Sequence, residues 1–194
     1  TKTLASASYD QNKYYNITAN FDVRNYDGDH YYMWDAQEQY WKGHEWNHGG
    51  SQPTLSSNLP NATTSSDYAK SHTDSRYYNT SYPGSGTSNP AIHSCKDLPN
   101  VNEMTWYCMY GDPRWDADEL WTTMGHLYKG GMWFKKKAYI SGYNSNTAAV
   151  GIDLRTTSYS VSWSASLTLP SAADAYKYFY LPALGCYYSG QLSS

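Results

Sequence analysis

Five consecutive residues, His44-Glu45-Trp46-Asn47-His48, are the part of this chain best suited to chemistry by type and spacing. Two imidazoles four residues apart share one face of a helix. They could hold a zinc ion there with the intervening carboxylate as general base. The flanks argue against it, because Gly43 precedes the string and Gly49-Gly50-Ser51 follows it. That leaves almost no helix, and no third ligand is evident, so a metal-dependent hydrolase using His44, Glu45 and His48 stands only as an alternative. A second cluster is acidic: Asp112, Asp116, Asp118 and Glu119. Calcium needs several oxygens converging at ~2.3–2.6 Å, and the spacing is not that of an EF-hand. The carboxylates read better as caps at the positive end of a helix. Whether calcium binds near Asp112–Glu119 is left open. No G-x-S-x-G elbow occurs. The three cysteines, Cys95, Cys108 and Cys186, allow one disulfide with a thiol left over, in a pairing the sequence does not choose. The expectation is a non-enzyme with no metal and no cofactor.

The composition points to binding. Among 194 residues there are 22 Tyr and 8 Trp, and the net charge is only -3. A nucleic-acid binder needs a basic face, which this chain lacks. Lys135-Lys136-Lys137 reads as a solvated run. No apolar stretch approaches the ~20 residues of a membrane span. The core must be built from aromatic rings, each of which removes ~150–250 Å² from water. Tyrosine in a Ser-, Gly- and Asn-rich loop also makes a good recognition surface, rigid and amphipathic. Tyr77, Tyr78 and Tyr82 sit in such a loop within the turn-rich stretch 49–90. Together with Tyr26 and Tyr31, beside the turn at Gly28, they are the candidate ligand-binding residues.

The elements that would position these residues can be read from periodicity. Asn100 followed by Glu103 is a capping box, opening a helix to Tyr110. Gly111 is expected to close it in the left-handed conformation, with Pro113 forbidding its return. A second helix is expected from Asp116 to Lys129, with Asp116 as cap and Leu120, Met124, Leu127 and Tyr128 as its apolar stripe. Met132-Trp133-Phe134 re-enters the core. Strands are expected at 14–23, His30–Trp34, Ser158–Leu169 and Tyr178–Leu181. Trp41 and Trp46 would cap the core. Residues 1–25 read as an N-terminal strand or the tail of a preceding β-domain, and 26–194 as the main domain.

Leu98-Pro99-Asn100 with Glu103 resembles the L-P-T-x-x-E-W-E signature of formylglycine-generating-enzyme-like and Fibrobacter-type major paralogous domains. Both are variants of the C-type lectin fold. Met104 stands where that signature has Trp. Phe179-Tyr180-Leu181-Pro182-Ala183-Leu184-Gly185-Cys186-Tyr187-Tyr188 resembles the paralogous domain's later L-P-x-x-G-Y-Y segment. The likeness spans roughly residues 26–194 and is closest to surface proteins of gut Bacteroidetes; the family's closing strands would follow Ser194. It implies an α+β, C-type-lectin-like fold with two short helices, small antiparallel sheets and long irregular loops, truncated at its C-terminus. The cysteine pair used by the formylglycine-generating enzymes is not matched by Cys186. The implied function is a non-catalytic, adhesin-like domain at the extracellular face of the outer membrane. It would recognise a glycan or protein ligand. The alternative, a structural subunit of a pilus-like assembly, would have other surface subunits as partners.

Overall fold

The computed structural model describes residues 11, 23–26, 31–43, 45, 69–79, 91–123, 125–188 and 191–193. Its architecture is mixed α and β. Among the described residues one α-helix, α1 (Val101–Tyr110), packs on a four-stranded sheet of β1 (Arg24–Asn25), β2 (Arg114–Thr123), β3 (His126–Lys135) and β4 (Tyr178–Pro182). The strand order is β1-β2-β3-β4, with β1 parallel to β2 and the other pairs antiparallel. A separate ribbon pairs β5 (Cys186–Tyr188) with β6 (Gln191–Ser193).

The helix begins as its sequence demands. Asn100 Oδ1 accepts the Glu103 N–H at 3.1 Å, and Glu103 Oε2 accepts the Asn100 N–H at 2.8 Å. Its closure differs from expectation. Gly111 has φ -80, and the left-handed step falls on Asp112, at φ 48. Aspartate tolerates that region better than most side chains. Glycine is needed at 111 for another reason: a Cβ there would strike the Tyr107 backbone.

The second helix expected over Asp116–Lys129 is absent. Its residues form the β2–β3 hairpin, paired from Thr123↔His126 to Leu120↔Lys129 and, after a shift of register, from Asp116↔Gly131 to Arg114↔Trp133. Gly125, at φ 76, lies in a two-residue connection, where positive φ matches the strand twist. Asp116 does behave as a local cap. Its Oδ1 accepts the N–H groups of Asp118 and Glu119 at 3.1 and 3.0 Å. The turn so formed is the irregularity between Asp116 and Leu120 in the strand, not the start of a helix. The expectation of two helices had been part of the C-type-lectin-like reading. With one of them a hairpin, the fold is α+β at the coarser level.

Among the described residues two apolar clusters form the core. Tyr107 of α1 packs on Phe134 and Ile140, with Met132 and Phe179 beside them. The opposite flank of α1 holds the turn-rich segment 141–157 by polar bonds. Asn102, fully buried, accepts the Leu154 N–H at 2.8 Å and donates to Asp153 at 2.9 Å. Thr105 Oγ1 accepts the Ala149 N–H, and Trp106 Nε1 donates to the Thr147 carbonyl, both at 2.8 Å. The second cluster is Tyr40, Trp41 and Ala69, with Tyr31, Met33 and Tyr77 against it.

Three strand expectations fare differently. Tyr178–Pro182 is a strand, with Tyr178 and Tyr180 buried. The 31–34 part of His30–Trp34 is irregular, and Tyr32 is exposed. Ser158–Leu169 is not a strand; one parallel bridge, Arg114↔Ser166, is all the pairing it has among the described residues. Most of 14–23 lies outside the described residues, as does Trp46.

Candidate functional site

Three of the candidate tyrosines, Tyr31, Tyr77 and Tyr78, lie where three chain segments, 31–43, 69–79 and 91–95, are tied together, and Asp35 is the knot. It is buried at φ 53 and accepts the N–H groups of Ile92 and His93 on one oxygen and the Asn79 amide on the other. Burial alone would raise its pKa. The His93 N–H, the Asn79 amide and the Ile92 N–H outweigh burial and hold the carboxyl below its ordinary value. Arg76 adds a second tie, forking onto Asp74 at 2.8 and 3.1 Å and donating to the Tyr40 carbonyl at 3.2 Å. The Ser75 carbonyl accepts the N–H groups of Gln37 and Glu38, and the Asn79 N–H reaches the Trp34 carbonyl.

Tyr77 and Tyr31 are drawn into this structure as packing residues, both against the Tyr40–Trp41–Ala69 cluster. Tyr31 also donates to the Leu184 carbonyl at 3.3 Å. Burial, with a smaller contribution from Tyr128, pushes its phenol up to about 12. Tyr78 differs. It is 38% exposed, and its ring stands edge-on to Tyr77 at 5.4 Å. Tyr77 in turn meets His72 edge-on at 5.0 Å. The Tyr78 carbonyl lies 2.8 Å from His72 Nδ1, and since a carbonyl only accepts, that nitrogen carries the proton. Tyr26 sits apart from this group, edge-on to Trp121, which stacks on Tyr128 at 4.9 Å. Tyr82 and the Gly28 turn lie outside the described residues.

An exposed ring near Asp35 that the sequence did not single out is Tyr32, 42% exposed. It was hidden by the expectation of a buried strand at 30–34. Asp35 and Arg76, which fix the segments, gave no signal either, since the contacts by which they tie one segment to another reach 36 to 58 residues along the chain.

The other chemical candidates are placed as follows. Of the His44-Glu45-Trp46-Asn47-His48 string only Glu45 is described, and its carboxylate accepts from Gln39 Nε2 at 2.7 Å. Asp112 is engaged by Arg114 at 2.9 Å, by the Tyr178 hydroxyl and by Lys135 at 3.7 Å. Asp116 Oδ2 accepts from Trp133 Nε1 at 3.1 Å. Beside it the buried Tyr180 hydroxyl has no hydrogen-bond partner among the described residues, and burial followed by the Asp116 and Glu119 charges raises it to about 12. Among the described residues no three His, Cys, Asp or Glu side chains converge to hold a metal. Cys95 and Cys108 are free thiols. No helix among the described residues is long and apolar enough to cross a membrane.

No family model, no curated protein and no solved structure matches this chain.

Proposed function

We propose that the chain is a non-catalytic binding module of a cell-surface protein, with Tyr78 as its principal contact and a glycan or protein as its ligand. The observation that carries this reading is an exposed phenol ring on a fixed support. Tyr77 packs beneath Tyr78, His72 holds its carbonyl, and Asp35 and Arg76 lock the segments on which it rides. A ring held this way loses little conformational freedom on binding, so stacking on a sugar face or an apolar side chain is retained as net affinity. Tyr32 is a second exposed ring on the same segment as Asp35. Tyr31 and Tyr77 serve as packing beneath the surface and not as contacts. Kinship to C-type-lectin-like domains of Bacteroidetes surface proteins remains part of the proposal. It rests on the Leu98–Glu103 and Phe179–Tyr188 motifs and not on a second helix.

The test is a glycan array probed with the wild-type chain and with Tyr78→Ala. The wild type should retain at least one glycan class. Tyr78→Ala should weaken it by about 1 kcal/mol or more, the size that marks a meaningful contact. Equal binding by both would remove Tyr78 from the site.

A further inference from the structure

Residues 158–169, S-Y-S-V-S-W-S-A-S-L-T-L, alternate polar and apolar without a break and carry no charge. This is the pattern of a half-buried strand. Yet Tyr159, Trp163, Leu167 and Leu169 are 58%, 48%, 78% and 46% exposed. Pairing begins only at Ser166, which donates to the Pro113 carbonyl and accepts the Trp115 N–H, both at 2.9 Å. Residues 158–165 make no hydrogen bond among the described residues. A sequence so suited to a sheet, left without one, is a strand in want of an edge.

The same molecule presents such an edge. β4 is the last strand of its sheet among the described residues. On its outer side the Tyr178 N–H bonds the Ala175 carbonyl and the Pro182 carbonyl accepts the Leu184 N–H, which leaves the Tyr178 carbonyl and the Tyr180 N–H and carbonyl without a bond among those residues. Edge strands are commonly protected by charge or by inward-pointing lysines. β4 reads Tyr178-Phe179-Tyr180-Leu181-Pro182, with no charge at all and a proline only at its end. Phe179 and Leu181 are paired with Phe134 and Met132, on the sheet face that α1 covers. Leu181 nevertheless remains 43% exposed.

We propose that residues 158–165 of one copy of this chain add as a strand to the outer edge of β4 of a second copy. Eight residues extend ~26 Å, more than the ~17 Å of a five-residue strand, so the donor spans the acceptor. Both elements are neutral, so no charge opposes their approach. Tyr159, Val161 and Trp163 would continue the apolar face and cover Leu181. Donor and acceptor are different surfaces of one chain, so the contact is head-to-tail and can repeat.

The experiment is sedimentation over a wide dilution series with three proteins. The wild type should associate with rising concentration beyond the mass of a dimer. Val161→Pro removes a donor N–H in a segment that bonds nothing else, so folding is spared and association should be lost. Leu181→Lys protects the acceptor edge and should also be monomeric. Mixed together, the two variants keep one good donor and one good acceptor, and should form a dimer and nothing larger. A wild type that stays monomeric throughout overturns the proposal. So does Val161→Pro, or a second donor variant, Trp163→Lys, associating like the wild type. Failure of the mixture to pair, with both variants folded by circular dichroism, overturns it equally.

Discussion

Asp35 accepts three donors from two distant segments, and removing it would strand them all in a buried place. Leaving a buried donor unsatisfied costs ~1–3 kcal/mol. Asp35→Ala should therefore lower unfolding stability by about 3 kcal/mol in chemical denaturation. The carboxyl also sets a pH dependence. Its folded pKa lies below the ordinary ~3.9, so its stabilisation is complete above that value and is lost as pH falls through the folded one. The denaturation midpoint should hold between about pH 6 and pH 5 and drop below about pH 4. In Asp35→Asn that part of the drop should disappear. At high pH the sign is reversed for Tyr31, Tyr178 and Tyr180, whose phenols are raised to about 12 chiefly by burial. Their protonated forms favour folding below about pH 10, and that contribution fades as pH climbs toward 12.

At the scale of elements, α1 and the β2–β3 hairpin show what local sequence decides. The capping box at Asn100 and Glu103 is wholly local, and the helix starts where those residues place it. Asn100→Ala should cost about 1 kcal/mol, measured by thermal or chemical unfolding. The hairpin reads as a helix because Leu120, Met124, Leu127 and Tyr128 satisfy a helical stripe as well, behind Asp116 as a cap. The discriminating signals were Gly125, Gly130 and Gly131 together with Trp121-Thr122-Thr123, a strand-forming run. Gly130 takes φ 97 within β3. Gly131 is crossed by the Tyr180 ring, and a Cβ there would collide with its hydroxyl and with the Leu181 carbonyl. Gly131→Ala should thus destabilise by roughly 1–3 kcal/mol, the usual result of overpacking. A stability equal to wild type would show that β4 does not lie beside β3, with Tyr180 against Gly131, as described. Ser158–Leu169 marks the converse limit: its alternation is legible in the sequence, but whether an edge exists to receive it is a property of the assembled sheet.

For the whole molecule, the aromatic composition foretold a core of rings, and both clusters are built that way. The sequence did not show how the tyrosines divide between core and surface. Tyr77 and Tyr78 are neighbours of the same type in one loop. Their fates part because Asp35 holds Asn79, Arg76 holds the Tyr40 carbonyl and His72 holds the Tyr78 carbonyl, two of these contacts reaching to a distant segment. That division is the central claim, and paired alanine variants test it most directly. Tyr77→Ala and Tyr78→Ala should be compared for unfolding stability and for binding to the glycan or protein that the wild type retains. Tyr77→Ala should lose roughly 2 kcal/mol of stability by removing the ring beneath the surface. Tyr78→Ala should keep its stability and lose binding by about 1 kcal/mol or more. The reverse outcome, in which Tyr78→Ala unfolds readily while its binding per folded molecule is unchanged, would contradict the claim that Tyr78 is a displayed contact.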